Sequence, residues 1–481
     1  MLGYSTEEIM RILLTGATGY IGKRILPVLV KNGHQVICCI RDKNRFSPPK
    51  SLLEHIEIVE VDFLDRNSVN NIPNDIDAAY YLIHSMSSTS DYEKLELQSA
   101  IHFRERLNES EAKQVIYLSG IVNEEVLSKH LSSRKAVEDE LMKGHFALTT
   151  LRAGIIIGSG SASFEIIRDL VEKLPFMITP KWLNTRSQPI GVTDVISYLF
   201  GCLLVHETYN KNYDIGGPNI LSYKQILNGY AKIRKLKRWI ITVPVLTPRL
   251  SSYWLYFVTS TSFKLASSLV ESMKIEVICR KNDLSRLLNI LPMKYEEALE
   301  RAFLKIEQNQ IISSWKDSLV SGVFDQNLSE YIVVPQHGCF TDKRKLKLSN
   351  PEKSLLKIWS IGGINGWYYA NWLWKLRGFL DKLVGGVGLR RGRTNTDYFA
   401  AGDAVDFWRV LFAGKEQKRL LLFAEMKVPG DAWLEFKIEN DELTQTATFR
   451  PRGILGRLYW YSVWPLHGFV FGGMIRNIAK G

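Results

Sequence analysis

The sequence predicts an α/β fold with a doubly wound parallel sheet in its first half, followed by an α+β unit built on a curved antiparallel sheet. In the first half, apolar strand segments alternate with helical segments, and the first strand runs directly into the glycine-rich segment TGATGYIG. In the second half, several short β-rich segments end in a long apolar helical segment. Because 481 residues exceed one typical domain, we expect domains at 1–320 and 336–481, joined by a linker at 321–335.

The elements of the first half follow one another in the order that a doubly wound sheet requires. After the opening strand, helices are expected at Tyr20–Asn32, where Gly33 closes the helix, and at Asp91–Asn108, where Asp91 is the expected N-cap. The later strands are expected at Gln35–Ile40, Ile56–Val61, Ala78–Ile83 and Val115–Leu118. Polar residues that directly follow these strands therefore lie on the ligand edge of the sheet.

The glycine-rich turn after the first strand predicts a dinucleotide site. A side chain at these glycines would block the tight turn, keep the backbone from a pyrophosphate, or lift the helix off the sheet. Free amides at the helix N-terminus would then bind the phosphates. An ordinary glycine turn is the alternative, and the strand before it and the helix after it argue against that alternative. The expected cofactor contacts are Gly16, Thr18, Gly19, Tyr20, Ile21 and Gly22.

Arg41 directly follows the second predicted strand and bears on the choice of cofactor. A protein specific for NAD usually has an acidic residue there, which binds the ribose hydroxyls. A guanidinium instead suits a 2′-phosphate, so Arg41 favours NADP over NAD. Asp42 beside it weakens this interpretation, and a solvated arginine is the alternative.

Composition limits the classes of partner and compartment. The formal net charge of +12 comes without long basic tracts, so it favours anionic ligands or a membrane surface over nucleic acid, with a merely basic surface as the alternative. The five cysteines give neither a disulfide framework nor a metal-ligand spacing. The N-terminus has acidic residues where a signal peptide needs positive charge, and prolines or glycines interrupt the apolar segments 239–263 and 458–475. We expect a cytoplasmic protein, with peripheral contact to the inner membrane face as an option.

From 11 to about 315, these motifs resemble the short-chain dehydrogenase/reductase superfamily, in its extended or atypical branch. The strongest element is TGATGYIG, and the segments LRAG at 151–154, IGVTDV at 190–195 and YDIGGP at 213–218 resemble the substrate side of an extended member. The resemblance implies a Rossmann fold and a reductase-like or epimerase-like activity. It also implies an adenine contact at Asp62 and Phe63, a wall beside the nicotinamide ribose at Leu82, His84 and Ser85, and an active-site serine at Ser119.

The sequence departs from this superfamily at the proton donor. Those enzymes have a tyrosine four residues before a lysine on one helix face, because the ammonium lowers the pKa of the phenol. Here the residue four before Lys135 is Leu131, which transfers no proton. Lys135 could still hold the nicotinamide ribose, or it could be a surface lysine on an amphipathic helix. Cofactor binding is thus better supported than reduction.

The last 150 residues resemble the uncharacterised domain that bacteria fuse behind such a module in YbjT-like proteins. The matching segments include GWYYANWLW at 366–374, GDAVDFWRV at 402–410 and AEMKVPGDAWLEF at 424–436. The resemblance implies a helix-grip, START-like fold and supplies no established reaction. A sheet that wraps a long terminal helix generally leaves an elongated hollow suited to an apolar or lipid-like ligand.

The second domain also contains candidate anion and substrate residues. Glycines and arginines interleave from 385 to 393, so Arg390, Arg391 and Arg393 would suit a phosphate or headgroup, with a helix end and a basic surface as the alternative. Asp406 and Glu425 could be acids in the groove, or ordinary carboxylates at a strand edge. His467 is expected to be structural. No metal-ligand spacing, P-loop lysine or nucleophile elbow is present.

Two functions therefore remain open from the sequence. The first is an NADPH-dependent oxidoreductase whose apolar substrate is bound by the second domain. The second is a non-catalytic protein that binds NADP as a structural or sensing ligand and docks on a membrane or a partner through its second domain. The sequence leaves the oligomeric state open.

Overall fold

A computed structural model describes most of the chain as two compact units, which divide between residues 319 and 320. The described residues are 9–41, 46, 48, 50–83, 92–122, 129–159, 161–243, 273–307, 334, 339–363, 365–384, 386, 388, 399, 403–451 and 453–480. The two units have separate hydrophobic cores.

The first unit contains thirteen strands among its described residues. They are β1 (Arg11–Leu14), β2 (Gln35–Ile40), β3 (Ile56–Glu60), β4 (Ala78–Tyr81), β5 (Gln114–Gly120), β6 (Ala147–Ala153), β7 (Ile156–Ile157), β8 (Phe176–Pro180), β9 (Arg186–Ser187), β10 (Ile190–Gly191), β11 (Lys211–Ile215), β12 (Leu221–Ser222) and β13 (Trp239–Val243). Seven of them form one sheet in the order β11-β6-β5-β4-β1-β2-β3, and every pair in it is parallel. The strand order reverses between β1 and β4, and ligands bind at such a switch point. The predicted parallel sheet is confirmed.

Helices cover both faces of this sheet. The described α-helices of the unit are α1 (Gly22–Lys31), α2 (Arg66–Val69), α3 (Tyr92–Asn108), α4 (Lys129–Leu141), α5 (Ala162–Lys173), α6 (Val192–Gly201), α7 (Tyr223–Ile233), α8 (Leu284–Leu287) and α9 (Tyr295–Glu307). Tyr81 of β4 and Tyr117 of β5 pack with Phe103 of α3 on one face. Tyr80 points to the other face, where its hydroxyl donates to the carbonyl of Leu199 in α6 at 3.0 Å.

Three pairs of short strands lie beside the main sheet. They are β7 with β10, β9 with β12, and β8 with β13. Their apolar residues form a core with α5, α7 and α9, in which the rings of Phe164, Tyr230 and Phe303 contact one another. This smaller part comes from the segment that resembles the substrate side of an extended reductase.

The second unit is a six-stranded antiparallel sheet with three described α-helices. Its strands are β14 (Phe340–Lys347), β15 (Ala404–Val405), β16 (Trp408–Gly414), β17 (Arg419–Ala424), β18 (Gly430–Glu439) and β19 (Glu442–Pro451), in the order β14-β19-β18-β17-β16-β15. The helices are α10 (Pro351–Trp359), α11 (Asn371–Leu383) and α12 (Gly453–Ala479). The predicted antiparallel sheet is confirmed, and the helix-grip assignment stays a prediction.

Local turn chemistry explains the course of this sheet. Asn440 and Asp441 both have positive φ and connect β18 to β19, as a two-residue hairpin turn requires. The β-rich segment 405–413 is not one continuous strand. Asp406 has a φ of +53° and turns the chain, so β15 pairs back on β16.

The length and composition of the described helices decide whether any of them could cross a bilayer. The longest, α12, has 27 residues with Pro465 inside it. None of the described helices is both long enough and apolar enough to cross a bilayer.

Candidate functional site

The turn between β1 and α1 has backbone geometry that only glycine fits at two positions. Gly16 has a φ of +65°, and a Cβ there would lie 2.6 Å from the carbonyl oxygen of Leu82. A Cβ on Gly22 would lie 2.2 Å from the carbonyl oxygen of Gly16. Both positions face neighbouring backbone that cannot move away easily, so these two glycines let the turn fold tightly against β4.

Gly19 differs from the other two glycines of the turn. Its φ is not in the left-handed region, and a Cβ there would meet only the carbonyl oxygen of Gly16, at 3.1 Å. A small backbone shift relieves such a contact, so internal packing requires glycine less strongly here. A bare α-carbon at this position leaves room for a ligand to approach the amides where α1 begins.

Thr15 fixes the turn at the switch point of the sheet. Its hydroxyl donates to the carbonyl of Tyr80 at 2.9 Å and accepts from the amide of Leu82 at 3.0 Å. The side chain thereby ties the end of β1 to the end of β4. The residue precedes the glycines directly, but its role depends on the β1–β4 pairing and could not be predicted from spacing.

The side chain of Tyr20 is half-buried and packs against Arg24 of α1. The guanidinium carbon of Arg24 lies 3.8 Å from the ring centroid of Tyr20, and burial raises the pKa of this tyrosine to about 12. Arg24 also donates to the carbonyls of Tyr20 and Ser159, each at 2.9 Å. The expected contact of Tyr20 with a cofactor stays a prediction. The sequence signal for this brace is an arginine among the apolar residues of α1, and the predicted contacts do not include it.

Arg41 and Asp62 lie together where β2 and β3 end. Arg41 Nε is 3.8 Å from Asp62 Oδ1, and about half of the Arg41 side chain is exposed. Asp62 Oδ1 also accepts from the amide of Leu64 at 3.1 Å, which holds the carboxylate in a local turn. The guanidinium is thus held loosely, at the edge where a ribose would lie.

The other expected cofactor residues have varied surroundings. Phe63 is buried with its ring 5.8 Å from that of Phe103, so its side chain belongs to the core and only its backbone faces the sheet edge. Leu82 is buried and contacts the β1–α1 turn through its backbone. His84 and Ser85 lie outside the described residues.

Ser119 lies near the end of β5, as the resemblance implies. It is buried, and its hydroxyl lies beside that of Tyr117. Burial raises the pKa of Tyr117 to about 12, although Arg134 and Ser119 oppose this effect. Tyr117 is consequently a weaker acid than an ordinary tyrosine, unlike the phenol that a neighbouring lysine activates.

Leu131 is the residue four positions before Lys135 on α4. Its Cδ2 is 3.0 Å from the position that a Cβ on Gly120 would have, so it packs directly on the end of β5. Lys135, one turn later, forms an ion pair with Asp139 on the same helix, and its side chain is 38% exposed. Leu131 is thus a packing residue and Lys135 is engaged by a surface carboxylate, while the absence of the usual acid stays a prediction from the spacing.

Helix α4 is attached to the rest of the unit by buried polar contacts. Ser133 donates to Glu96 of α3, and Arg152 of β6 forms a buried ion pair with Glu138. These contacts fix the face that α4 turns toward β5. They depend on tertiary packing, and no sequence spacing indicates them.

The second unit contains a cavity of about 270 Å³ between the sheet, α11 and α12. Most of its lining side chains are aromatic or aliphatic, and the polar ones include Arg377, Thr448 and His467. Its volume is close to the lower end of small-molecule pockets, about 300 Å³.

The acidic candidates of the second unit do not line this cavity. Glu425 Oε1 lies 2.9 Å from both Nε and Nη2 of Arg409, and both side chains are fully buried. Asp406 Oδ2 accepts from the indole nitrogen of Trp367 at 2.6 Å. Both carboxylates thus have structural partners. Arg390, Arg391 and Arg393 lie outside the described residues, and within the described ranges no cluster of three His, Cys, Asp or Glu side chains could hold a metal.

Comparison with protein families agrees with this geometry in the first unit. Residues 12–123 match the NAD dependent epimerase/dehydratase family. The first unit therefore has a Rossmann-type fold. Residues 336–474 match a family described as a protein of unknown function, DUF2867. This description leaves the helix-grip assignment and a bacterial origin as predictions.

The curated relatives that match this chain cover less than half of it. Divinyl chlorophyllide a 8-vinyl-reductase, chloroplastic, from Arabidopsis thaliana is 22% identical over 227 residues, which are 44% of this chain and 54% of that protein. The chain thus matches about half the length of this relative. A nicotinamide dinucleotide cofactor is consistent with the matching family.

Two solved structures share the fold of the first unit. A nucleoside-diphosphate-sugar epimerase from Staphylococcus aureus has a TM-score of 0.50 at 15% identity, and the match covers 60% of this chain and 100% of that one. The NADPH-dependent quinone oxidoreductase from Escherichia coli, solved with NADPH, also has a TM-score of 0.50 at 15% identity, with 61% and 99% covered. At this identity, the likeness establishes the fold alone.

Proposed function

We propose that the chain is an NADP(H)-dependent oxidoreductase whose first domain, 1–320, binds the dinucleotide. The observation that carries this proposal is the β1–α1 turn, in which Gly16 and Gly22 satisfy internal packing while Gly19 leaves the start of α1 open. Arg41, half exposed and loosely paired, supports NADP over NAD because a guanidinium can bind a 2′-phosphate in a bidentate manner. The NADPH in the E. coli neighbour supports the same choice.

The surroundings of Ser119 narrow the class of substrate. Reduction transfers a hydride from NADPH to the substrate and requires one proton in addition. With Leu131 packed on β5 and the pKa of Tyr117 raised, the described part of this edge offers no activated phenol. A conjugated acceptor, such as a quinone or an enone, accepts hydride to give a stabilised anion that water can protonate. An unconjugated aldehyde gives an alkoxide, which needs an acid much more strongly.

The relatives agree with this class of acceptor. The E. coli neighbour is named a quinone oxidoreductase, and the Arabidopsis relative is named a vinyl-reductase. We therefore propose a quinone, an enone or a conjugated vinyl group on an apolar body as the substrate. The second domain, 336–481, is proposed to be a helix-grip domain whose apolar cavity binds an apolar or lipid-like ligand.

The experiment compares NADPH oxidation with a quinone, an enone and a saturated aldehyde of similar size. We expect turnover with the first two and, with the aldehyde, a kcat/KM lower by at least about 100-fold, the low end of what a positioned acid contributes. Gly19→Asp should abolish turnover because its carboxylate would repel the diphosphate. Gly33→Asp is the control for the added charge: its Cβ would meet nothing within 4 Å, and its φ of +86° costs some stability without creating an overlap. Equal rates with the aldehyde would contradict the proposed substrate class.

A second candidate function is docking on an anionic membrane, and the outer faces of α11 and α12 favour it. These helices expose a series of large apolar side chains: Trp372, Leu376, Phe379 and Leu383 on α11, and Leu455, Leu458, Tyr461, Trp464 and Phe469 on α12. The one acid of α11, Asp381, is buried, and α12 contains none, whereas Lys375 and Arg457 are exposed. An apolar face with exposed cations suits a bilayer interface.

Liposome co-sedimentation tests this second function. The full chain should sediment with vesicles that contain anionic lipid, and raised salt should weaken the binding. A double variant with Trp464→Ser and Phe469→Ser should bind less to the vesicles. Tight NADP binding and vesicle binding without turnover of any acceptor would favour the non-catalytic alternative over the enzyme.

A further inference from the structure

His467 is a polar residue among aromatic rings in the cavity of the second unit. It belongs to α12, and its ring centroid lies 4.7 Å from that of Trp460 and 4.8 Å from that of Phe471. Both contacts are edge-on, which holds the imidazole plane in one orientation. The expectation that this histidine is merely structural leaves its place in the cavity lining unexplained.

Asp342 of β14 lies next to His467. Its Oδ2 is 3.8 Å from Nδ1 of His467, and the aspartate is almost fully buried. Arg344 Nη2 donates to the same oxygen at 3.0 Å. Burial raises the pKa of Asp342, but His467 and Arg344 together outweigh that effect, so the pKa lies below its ordinary value. Asp342 is therefore an anion at neutral pH.

An anion beside Nδ1 determines which hydrogen-bonding groups the imidazole offers. At 3.8 Å, Oδ2 of Asp342 and Nδ1 of His467 do not form a hydrogen bond, but the negative charge still favours the tautomer with its proton on Nδ1, so the lone pair of a neutral imidazole is on Nε2. Nε2 forms no hydrogen bond with the described residues. The cavity thus offers an acceptor, oriented by an anion, within a mostly apolar lining.

We propose that His467 is the polar contact of a ligand site in this cavity, with Asp342 as its positioning residue, and that the ligand combines an apolar body with a hydroxyl group. This inference rests on the proposed ligand-binding function of the second domain. A hydroxyl donates to Nε2, while the apolar body fills the space lined by Trp374, Trp408 and Phe449. An ether of the same body lacks the proton to donate.

A competing polar contact in the same cavity is Arg377. Its Nε lies 3.2 Å from the sulfur of Met426, and its guanidinium lies 5.3 Å from the ring centroid of Tyr459. A carboxylate ligand would bind there. The alcohol, the ether and the carboxylate of one chain length therefore separate the two possibilities.

The test uses the full chain and a fluorescent apolar probe, N-phenyl-1-naphthylamine, displaced by 1-decanol, by decyl methyl ether or by decanoate. One buried hydrogen bond predicts that decanol binds about three- to tenfold more tightly than the ether. His467→Phe should lower the affinity for decanol to that for the ether and leave the ether unchanged. His467→Gln retains an acceptor and should keep part of the difference. Asp342→Asn should reduce the difference in affinity between decanol and the ether without changing the affinity for the ether.

Four other results of this displacement test would each overturn the inference. Equal affinity of the wild-type chain for decanol and the ether overturns the inference, as does a difference that survives in His467→Phe. Decanoate that binds most tightly and loses its advantage in Arg377→Met assigns the polar contact to the arginine and also overturns it. If the probe and all three ligands fail to bind, the proposed ligand-binding function of the domain fails, and the inference fails with it.

Discussion

The turn after β1 and the end of β5 lie on the same edge of one parallel sheet. The proposed binding of a dinucleotide requires a particular backbone shape at the first, and the superfamily's usual reduction requires a proton-donating side chain at the second. At the first, the function depends on backbone shape, and Gly16, Gly19 and Gly22 provide it. At the second, the superfamily resemblance implies one phenol, and this sequence has Leu131 at that position. The leucine packs on the end of β5, so the proposed binding of a dinucleotide does not depend on a phenol there, whereas the reduction of an unconjugated aldehyde would.

The largest expected effect is on stability, through Gly16→Val. A β-branched side chain at a φ of +65° is strained, and its Cβ would overlap the carbonyl of Leu82. We expect the free energy of unfolding to fall by about 3 kcal/mol or more, measured by urea denaturation. Gly33→Val has a similarly positive φ but open space around its Cβ, so its free energy of unfolding should fall clearly less. Equal losses would show that the overlap with β4 is unimportant.

The next effect concerns the choice of dinucleotide, through Arg41→Ala. Loss of a charge-assisted contact with the 2′-phosphate should weaken NADPH binding by about 10- to 100-fold, equivalent to about 1.5–3 kcal/mol. Binding of NADH should change little, and calorimetry measures both. Arg66→Ala is the control, because that exposed arginine pairs with Glu105. A parallel loss for NADH and NADPH would remove Arg41 as the determinant.

The smallest effect is expected for Lys135→Ala. In the structure, the ammonium pairs with Asp139 on an exposed helix face, and such surface pairs contribute about 0–1 kcal/mol. The kcat/KM for the best quinone should therefore change by less than about twofold. A loss of 100-fold or more would mean that Lys135 leaves Asp139 and holds the nicotinamide ribose.

The sequence predicts backbone-determined features well. Alternation of strands and helices predicts the parallel sheet, and turn residues such as Asn440 and Asp441 predict the hairpin between β18 and β19. The spacing of Leu131 and Lys135 predicts that the usual acid is missing, because i and i+4 share a helix face, and this stays a prediction.

Features that depend on tertiary packing could not be predicted in the same way. The brace between Arg24 and Ser159 spans 135 positions of the chain, and the Arg409–Glu425 pair depends on strand register. The contact between His467 and Asp342 joins the last helix to the first strand of its unit. For this reason the sequence left Glu425 open between a groove acid and a strand-edge carboxylate, and it gave no sign that His467 lies beside Asp342.

Calorimetric titration of the purified apoprotein with NADPH tests the central claim most directly. The account predicts saturable binding to the wild-type chain and to Gly33→Asp, and no measurable binding to Gly19→Asp, with all three proteins equally folded by circular dichroism. Absence of binding to the wild-type chain by NADPH and by NADH would contradict the account, and so would unchanged NADPH binding to Gly19→Asp.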